Sequence, residues 1–122
     1  MRPNPVVWFE IYVQDIGRAR RFYETVLATS LERLEMQGGD MWTFPMAMDG
    51  GGASGALVRM DGVPSGGSTI VYFGCEDCAV EAGRVVAAGG KLDKPEFSIG
   101  EHGFIALAVD PDGNMFGLHS MR

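Results

Sequence analysis

The feature that most constrains this chain is an internal repeat. Asp15 and Asp77 lie 62 residues apart, and so do Gly38 and Gly100, Gly51 and Gly113, and Gly55 and Gly117. Glycine is abundant, with 18 in 122 residues, so coincident glycines alone carry little weight. What repeats is the order of elements: apolar strand, capping aspartate, amphipathic helix, glycine turn and closing hairpin occur once in each half.

The residues of each half say why. Residues 6–13 are rich in β-branched and aromatic side chains and read as a strand. Asp15 stands at an N-cap, and Ile16, Ala19, Tyr23, Val26 and Leu27 recur at helical spacing, which predicts a helix over 16–27. Strands are expected over 31–37, 41–48 and 55–60, with turns at Gly38-Gly39 and Gly50-Gly51-Gly52. The second half predicts a strand over 69–75, a helix over 78–88 capped by Asp77 and stopped by Gly89-Gly90, and a strand over 91–99 weakened by Pro95. It closes on a hairpin over 104–120, whose Asp110-Pro111-Asp112-Gly113 turn presets φ with proline and accepts a positive φ at glycine. The expected fold is α+β: a single domain over 1–122 made of two tandem βαβββ modules, about 4–60 and 67–121, with curved mixed sheets. A four-stranded sheet with a helix on one face needs a cover for the other, which argues for a homodimer.

Charge and cysteine content narrow the function. A net charge of -6 argues against binding through a phosphate backbone, because Arg18, Arg20 and Arg21 form too small a basic cluster to offset it. No apolar run approaches the ~20 residues that span a bilayer, and no signal peptide opens the chain, so a cytoplasmic protein with no nucleic-acid or membrane partner is expected. Cys75 and Cys78 have the spacing of a zinc half-site, but no second cysteine pair exists.

Two stretches resemble a known family. Asp15-Ile-Gly-Arg-Ala-Arg-Arg-Phe-Tyr23 after a strand looks like the module opening of the vicinal oxygen chelate superfamily, which includes glyoxalase I, bleomycin resistance proteins, fosfomycin resistance enzymes and extradiol dioxygenases. Asp110-Pro-Asp-Gly-Asn-Met-Phe-Gly-Leu-His-Ser120 resembles its module ending. The resemblance implies a cupped sheet that in the family's enzymes holds a divalent metal through His or Glu of each first strand and Glu of each last strand. Counted from the two caps, those positions carry Trp8, Ile70, Gly55 and Gly117. None offers the oxygen or nitrogen ligand such a metal requires, so no metal and no cofactor are expected.

Strand alternation places other groups on the same face: Glu10 two residues beyond Trp8, Tyr72 beyond Ile70, His119 beyond Gly117, and Leu57 beyond Gly55. Glu10 and His119 suit proton transfer near neutral pH, and equally suit a structural hydrogen-bonded pair. Trp8, Trp42, Phe44, Leu57, Tyr72 and His102 are the candidate ligand-binding residues, with core packing as the plain alternative for the aromatics and a solvent-facing loop for His102. Two functions stay open. One is a metal-independent protein that binds or sequesters a small molecule, and the other is a glyoxalase-like lyase or isomerase that uses Glu10 and His119 as acid and base, with or without a non-standard divalent metal.

Overall fold

The structure is a computed structural model and describes residues 4–46, 52–67, 69–111 and 113–122. The chain divides into two compact units, residues 8–69 and residues 70–122 with the start of the chain through Val7.

In the first unit, β1 (Val6–Tyr12) lies parallel to β4 (Ser54–Met60), β4 is antiparallel to β3 (Gly39–Thr43), and β3 is antiparallel to β2 (Glu32–Leu34), giving the order β2-β3-β4-β1. The helix α1 (Ile16–Leu27) forms at the expected residues. Asp15 Oδ1 accepts the Arg18 N–H at 3.0 Å, and the helix ends on Ala28 in the left-handed region at φ 51°. A half-buried aromatic chain fixes it to the sheet: Tyr23 of α1 meets Phe44 at 6.1 Å between ring centroids, and Phe44 meets Phe9 of β1 at 5.5 Å. Arg20 adds a cation–π contact, its guanidinium carbon 3.5 Å from the centre of the Trp42 ring.

The second unit has the same plan. β5 (Thr69–Gly74) is parallel to β8 (Met115–Ser120), followed by β7 (Phe104–Val109) and the edge strand β6 (Lys91–Ser98). Its helix α2 (Cys78–Ala82) covers a core of Cys78, Ala82, Ala106 and Leu118, ringed by Phe73, Leu92, Phe104 and Phe116. The α2 N-terminus is capped twice, with Asp77 Oδ1 accepting the Ala79 N–H at 3.1 Å and Ser120 Oγ accepting the Cys78 N–H at 2.9 Å. At the hairpin turn, Asp110 O accepts the Gly113 N–H, and Asp110 Oδ1 accepts the Asn114 N–H. Each unit is thus a four-stranded mixed sheet with one helix on one face, the βαβββ plan.

Five expectations are corrected. The expected helix over 78–88 is regular only over Cys78–Ala82. Beyond Gly83 the bonds tighten to i→i−3 turns, such as Val85 N to Ala82 O, where a glycine and two β-branched valines favour helix poorly. The strand expected over 31–37 shrinks to Glu32–Leu34. The strand weakened by Pro95 reaches eight residues, at the sheet edge, with irregular register on both sides of the proline. The strand expected over 41–48 runs instead over Gly39–Thr43, and residues 44–46 are irregular, where Pro45 cannot donate to a sheet ladder. Ala47 and Met48, most of the Gly50–Gly52 turn and Asp112 fall outside the described residues.

The fifth correction changes which side chains share a face. In the second unit Tyr72 stands opposite Gly117, and in the first unit Glu10, which is 62 residues before Tyr72, stands opposite Ala56 rather than Gly55. The last strands therefore correspond at 61 residues, not 62. The third strands correspond at 64, because Trp42 faces Leu57 while Ala106 faces Leu118. The longer β3–β4 connection shifts β4 by one residue, and a shift of one turns every side chain to the opposite face. Leu57 thus lies on the helix-covered face with Phe9 and Ile11, away from Trp8 and Glu10, and is fully buried.

Leu57→Ala should lower stability by about 2–5 kcal/mol, the usual range for emptying a closed core site. Urea denaturation checks this, and a loss within experimental error would contradict the helix-face placement.

Candidate functional site

The open face of the first unit is organised by one carboxylate. Trp8, Glu10 and Tyr12 alternate onto the face not covered by α1, and Ala56 and Val58 of β4 stand beside them. Glu10 is 9% exposed. The Trp8 indole N–H donates to Glu10 Oε2 at 3.1 Å, and the Tyr12 hydroxyl donates to Glu10 Oε1 at 2.8 Å. Hydrogen bonds to an ionised acceptor are among the stronger ones, at about 1.5–3 kcal/mol each, and each carboxylate oxygen receives one here. Burial, then the Glu10 charge, then the hydrogen bond to it raise the Tyr12 hydroxyl well above its usual pKa of 10.0, so this phenol keeps its proton. The arrangement fixes the direction of a carboxylate between two aromatic rings.

On the face of the second unit away from α2, Tyr72 and His119 alternate on β5 and β8, as expected. The Tyr72 ring lies over Gly117, where a Cβ would come within 2.2 Å of it. His119 Nε2 is 2.7 Å from His102 O. A carbonyl only accepts, so Nε2 carries the proton and Nδ1 of the neutral ring keeps its lone pair. His102 therefore contributes its backbone, from the 3-10 turn Gly100–His102, while its imidazole is 59% exposed beside Glu101.

Trp42 and Phe44 are the remaining candidates. Both lie on the helix-covered face of the first unit, Trp42 under Arg20 and Phe44 between Phe9 and Tyr23. Those contacts use their ring faces for packing. Tyr12 is the participant that the sequence reading missed, although its signal was available: it is two residues beyond Glu10 and so on the same face.

The four positions that would hold a metal were tested against these neighbours. Trp8 spends its indole N–H on Glu10, and Ile70 has no donor atom. Gly117 lies beneath a ring that any larger side chain would displace. With the corrected register the first-unit counterpart of Gly117 is Ala56, which is fully buried and likewise carries no ligand atom. The residues present do not fit the metal set of the family's enzymes, and among the described residues no three His, Cys, Asp or Glu side chains gather in a metal-holding group. The cysteines are free thiols: burial is the largest cause raising both, Cys75 to about 11, which disfavours the reactive thiolate. Among the described residues no helix is long and apolar enough to cross a membrane.

Comparison with known proteins agrees with this architecture. The bleomycin resistance protein-like N-terminal family matches residues 6–36, which contain β1, α1 and β2. The glyoxylase-named protein CFP32 of Mycobacterium tuberculosis (strain CDC 1551 / Oshkosh) is 29% identical over 114 residues, covering 91% of this chain, and the chain spans 43% of the length of that protein. Among solved structures, hypothetical protein BH1468 from Bacillus halodurans C-125 superposes with a TM-score of 0.75 at 12% identity, covering 99% of this chain and 96% of that one. A Streptomyces coelicolor methylmalonyl-CoA epimerase variant in complex with 2-nitronate-propionyl-CoA gives 0.73 at 15% identity, with 96% and 94% covered. In its repeated modules, its family match over residues 6–36 and its fold, the chain is similar to proteins of the vicinal oxygen chelate superfamily, the glyoxalase and bleomycin resistance-like group.

Proposed function

We propose that this protein binds and sequesters a small apolar or aromatic molecule without a resident metal. One observation carries the reading: where the family's enzymes place metal ligands, this chain places Trp8, Ile70, Ala56 and Gly117. Small and apolar residues there widen and line a binding surface, and Trp8 and Tyr12 supply flat walls around a fixed carboxylate. Tyr72 and His119 supply the corresponding groups of the second module. We propose in addition that the protein works as a cytoplasmic homodimer, since an open sheet face with aromatic walls favours a partner.

A second reading rests on Glu10 and His119 as acid and base of a lyase or isomerase. The epimerase fold relatives act on a CoA thioester, and a carboxylate with an imidazole could exchange a proton on the carbon beside such a carbonyl. Proton exchange from methylmalonyl-CoA into D2O, followed by NMR, separates the readings: solvent deuterium entering at that carbon supports the enzyme, and its absence alongside saturable binding of aromatic compounds supports sequestration.

For the sequestering protein, less than about 0.1 equivalent of zinc, nickel, manganese or iron should remain per chain after dialysis, because a site of two or three mixed ligands is weak. Elemental analysis giving close to one equivalent would overturn the metal-free reading. Glu10→Gln and His119→Ala should each weaken ligand binding about tenfold while the melting temperature moves by only a few degrees. If the two groups serve only structure, each change strands a buried partner at about 1–3 kcal/mol, and stability falls with binding intact.

Tyr12 gives an independent reading of the clamp on Glu10. In a spectrophotometric titration of the three tyrosines, one should resist ionisation beyond the others, and Glu10→Gln should bring it down. The linkage has a definite sign. The folded pKa is raised, so this contribution to stability is fully present below pH 10.0 and is lost as pH rises through the folded value. Tyr12→Phe should remove that part of the alkaline loss in denaturation profiles, and identical titrations for wild type and Glu10→Gln would disprove the clamp.

A further inference from the structure

His119 is held by a turn that only a glycine allows. The carbonyl 2.7 Å from its Nε2 belongs to the peptide between His102 and Gly103, so the backbone angles on either side of that peptide set where the oxygen points. Gly103 is buried at φ 100° and ψ -136°, a conformation that residues with a Cβ rarely adopt. A Cβ there would also come within 2.4 Å of Ser120 O, on the strand that carries His119. Two hydrogen bonds close the turn: the Gly103 N–H donates to Gly100 O at 3.1 Å, and the Ile99 N–H donates to Gly103 O at 2.8 Å. The turn is thus pressed against β8 with its carbonyl aimed at the imidazole.

The surroundings of that ring are apolar. Ile105 pairs with His119 and Leu107 with Gly117, so both share the open side of the sheet, while Ala106 and Leu118 turn to the core under α2. Ile105, Leu107 and His119 are all half-buried. Among the described residues nothing donates to His119 Nδ1, and this nitrogen is not sealed from solvent. With the proton kept on Nε2, Nδ1 can accept a hydrogen bond and cannot give one. A ligand oxygen placed against it would meet a second lone pair.

We propose that Gly103 is a positioning residue for His119: it turns the His102 carbonyl onto Nε2, which fixes Nδ1 as an acceptor. The open face of the second module therefore selects aromatic ligands that donate one hydrogen bond from the ring, as an N–H or O–H, over ligands of the same shape that donate none. The selection rests on the proposed sequestration, whereas the positioning does not.

Nitrogen NMR of the imidazoles, on the full chain in alkaline buffer where an imidazole is neutral, reads the tautomer. His119 should show Nε2 protonated and Nδ1 bare. Gly103→Ala should convert it to a mixture of tautomers while His102, whose ring is exposed, keeps its spectrum. Gly100→Ala strains the same turn at φ 80° without crowding a neighbour, and should give a smaller change in the same direction if Gly103→Ala folds poorly. Indole and N-methylindole, which differ by one donor, are the binding probes. Indole should bind about tenfold more tightly, and the preference should fall to within about twofold in Gly103→Ala and in His119→Phe, which keeps a ring and removes the acceptor. Mixed tautomers in the wild type, or an unchanged tautomer in both glycine variants, would overturn the positioning. Equal affinity for the two indoles in the wild type would overturn the selection and leave sequestration standing, and no saturable binding of either would overturn both.

Discussion

Everything at the open faces depends on how the first and last strands of each module lie side by side. β1 runs parallel to β4 and β5 parallel to β8, so side chains at paired positions point the same way. A carboxylate or imidazole reaches the open face only if register and alternation agree. In the first unit the pairing of Glu10 with Ala56 and of Ile11 with Leu57 puts the charged group on one side and the largest aliphatic side chain on the other. Slipping that pairing by one residue would bring Leu57 level with Glu10 and Ala56 level with Phe9. Such a slip is opposed by the ring of Phe9 lying over Gly55, where a Cβ would come within 2.4 Å.

The sequence made the fold readable because its signals agree at several levels. Capping aspartates, helical spacing and turn glycines each occur twice, and consistency of that sort is what selects one topology. Asp15 and Asp77 cap as read, α1 begins and ends as read, and the hairpin turn after Asp110 forms as read. The register of β4 was not readable. Glycine repeats seemed to fix it at 62, but Gly51 and Gly52 belong to a connection whose length differs between the modules, and glycines in a connection do not report strand phase. The phase is set by packing, by which of Gly55 and Ala56 lies under the Phe9 ring, and this is a long-range contact with no local signature. The early end of α2 has the same origin, since the Gly83-Arg84-Val85-Val86 stretch keeps a helical pattern of apolar residues while losing helical propensity.

The site was legible in part for a related reason. Alternation along a single strand found Glu10, Tyr72 and His119, because it needs no partner strand. It could not reveal that Glu10 is held by Trp8 and Tyr12, since hydrogen bonds between neighbours two apart depend on rotamers as well as facing. Those bonds alter the chemistry available. A nearly buried carboxylate that receives an indole N–H and a phenol O–H has a fixed direction, and two neutral donors supply at this face the polarity that a cation and its ligands would otherwise bring. His119 is held in a comparable way by a backbone carbonyl, which settles its tautomer and leaves Nδ1 as the accepting nitrogen.

The modules therefore share a scaffold and differ in where they place bulk. The first invests three aromatic rings between helix and sheet and keeps its last strand small there, at Gly55. The second keeps its helix side small, with Ala82, Val85 and Ala88, and packs Phe73, Phe104 and Phe116 of its sheet against that side. Either choice can support a helix on a sheet, because burial scales with area and is indifferent to which element supplies it. The choices are not equivalent in filling volume. After Ala82, i→i−3 turns replace regular helix in α2, beside an open groove lined by Val85, Ala88 and Phe116. The first unit packs a regular twelve-residue helix through Tyr23, and in the second Val85 stands at the matching place, inside the stretch whose low helical propensity ends α2.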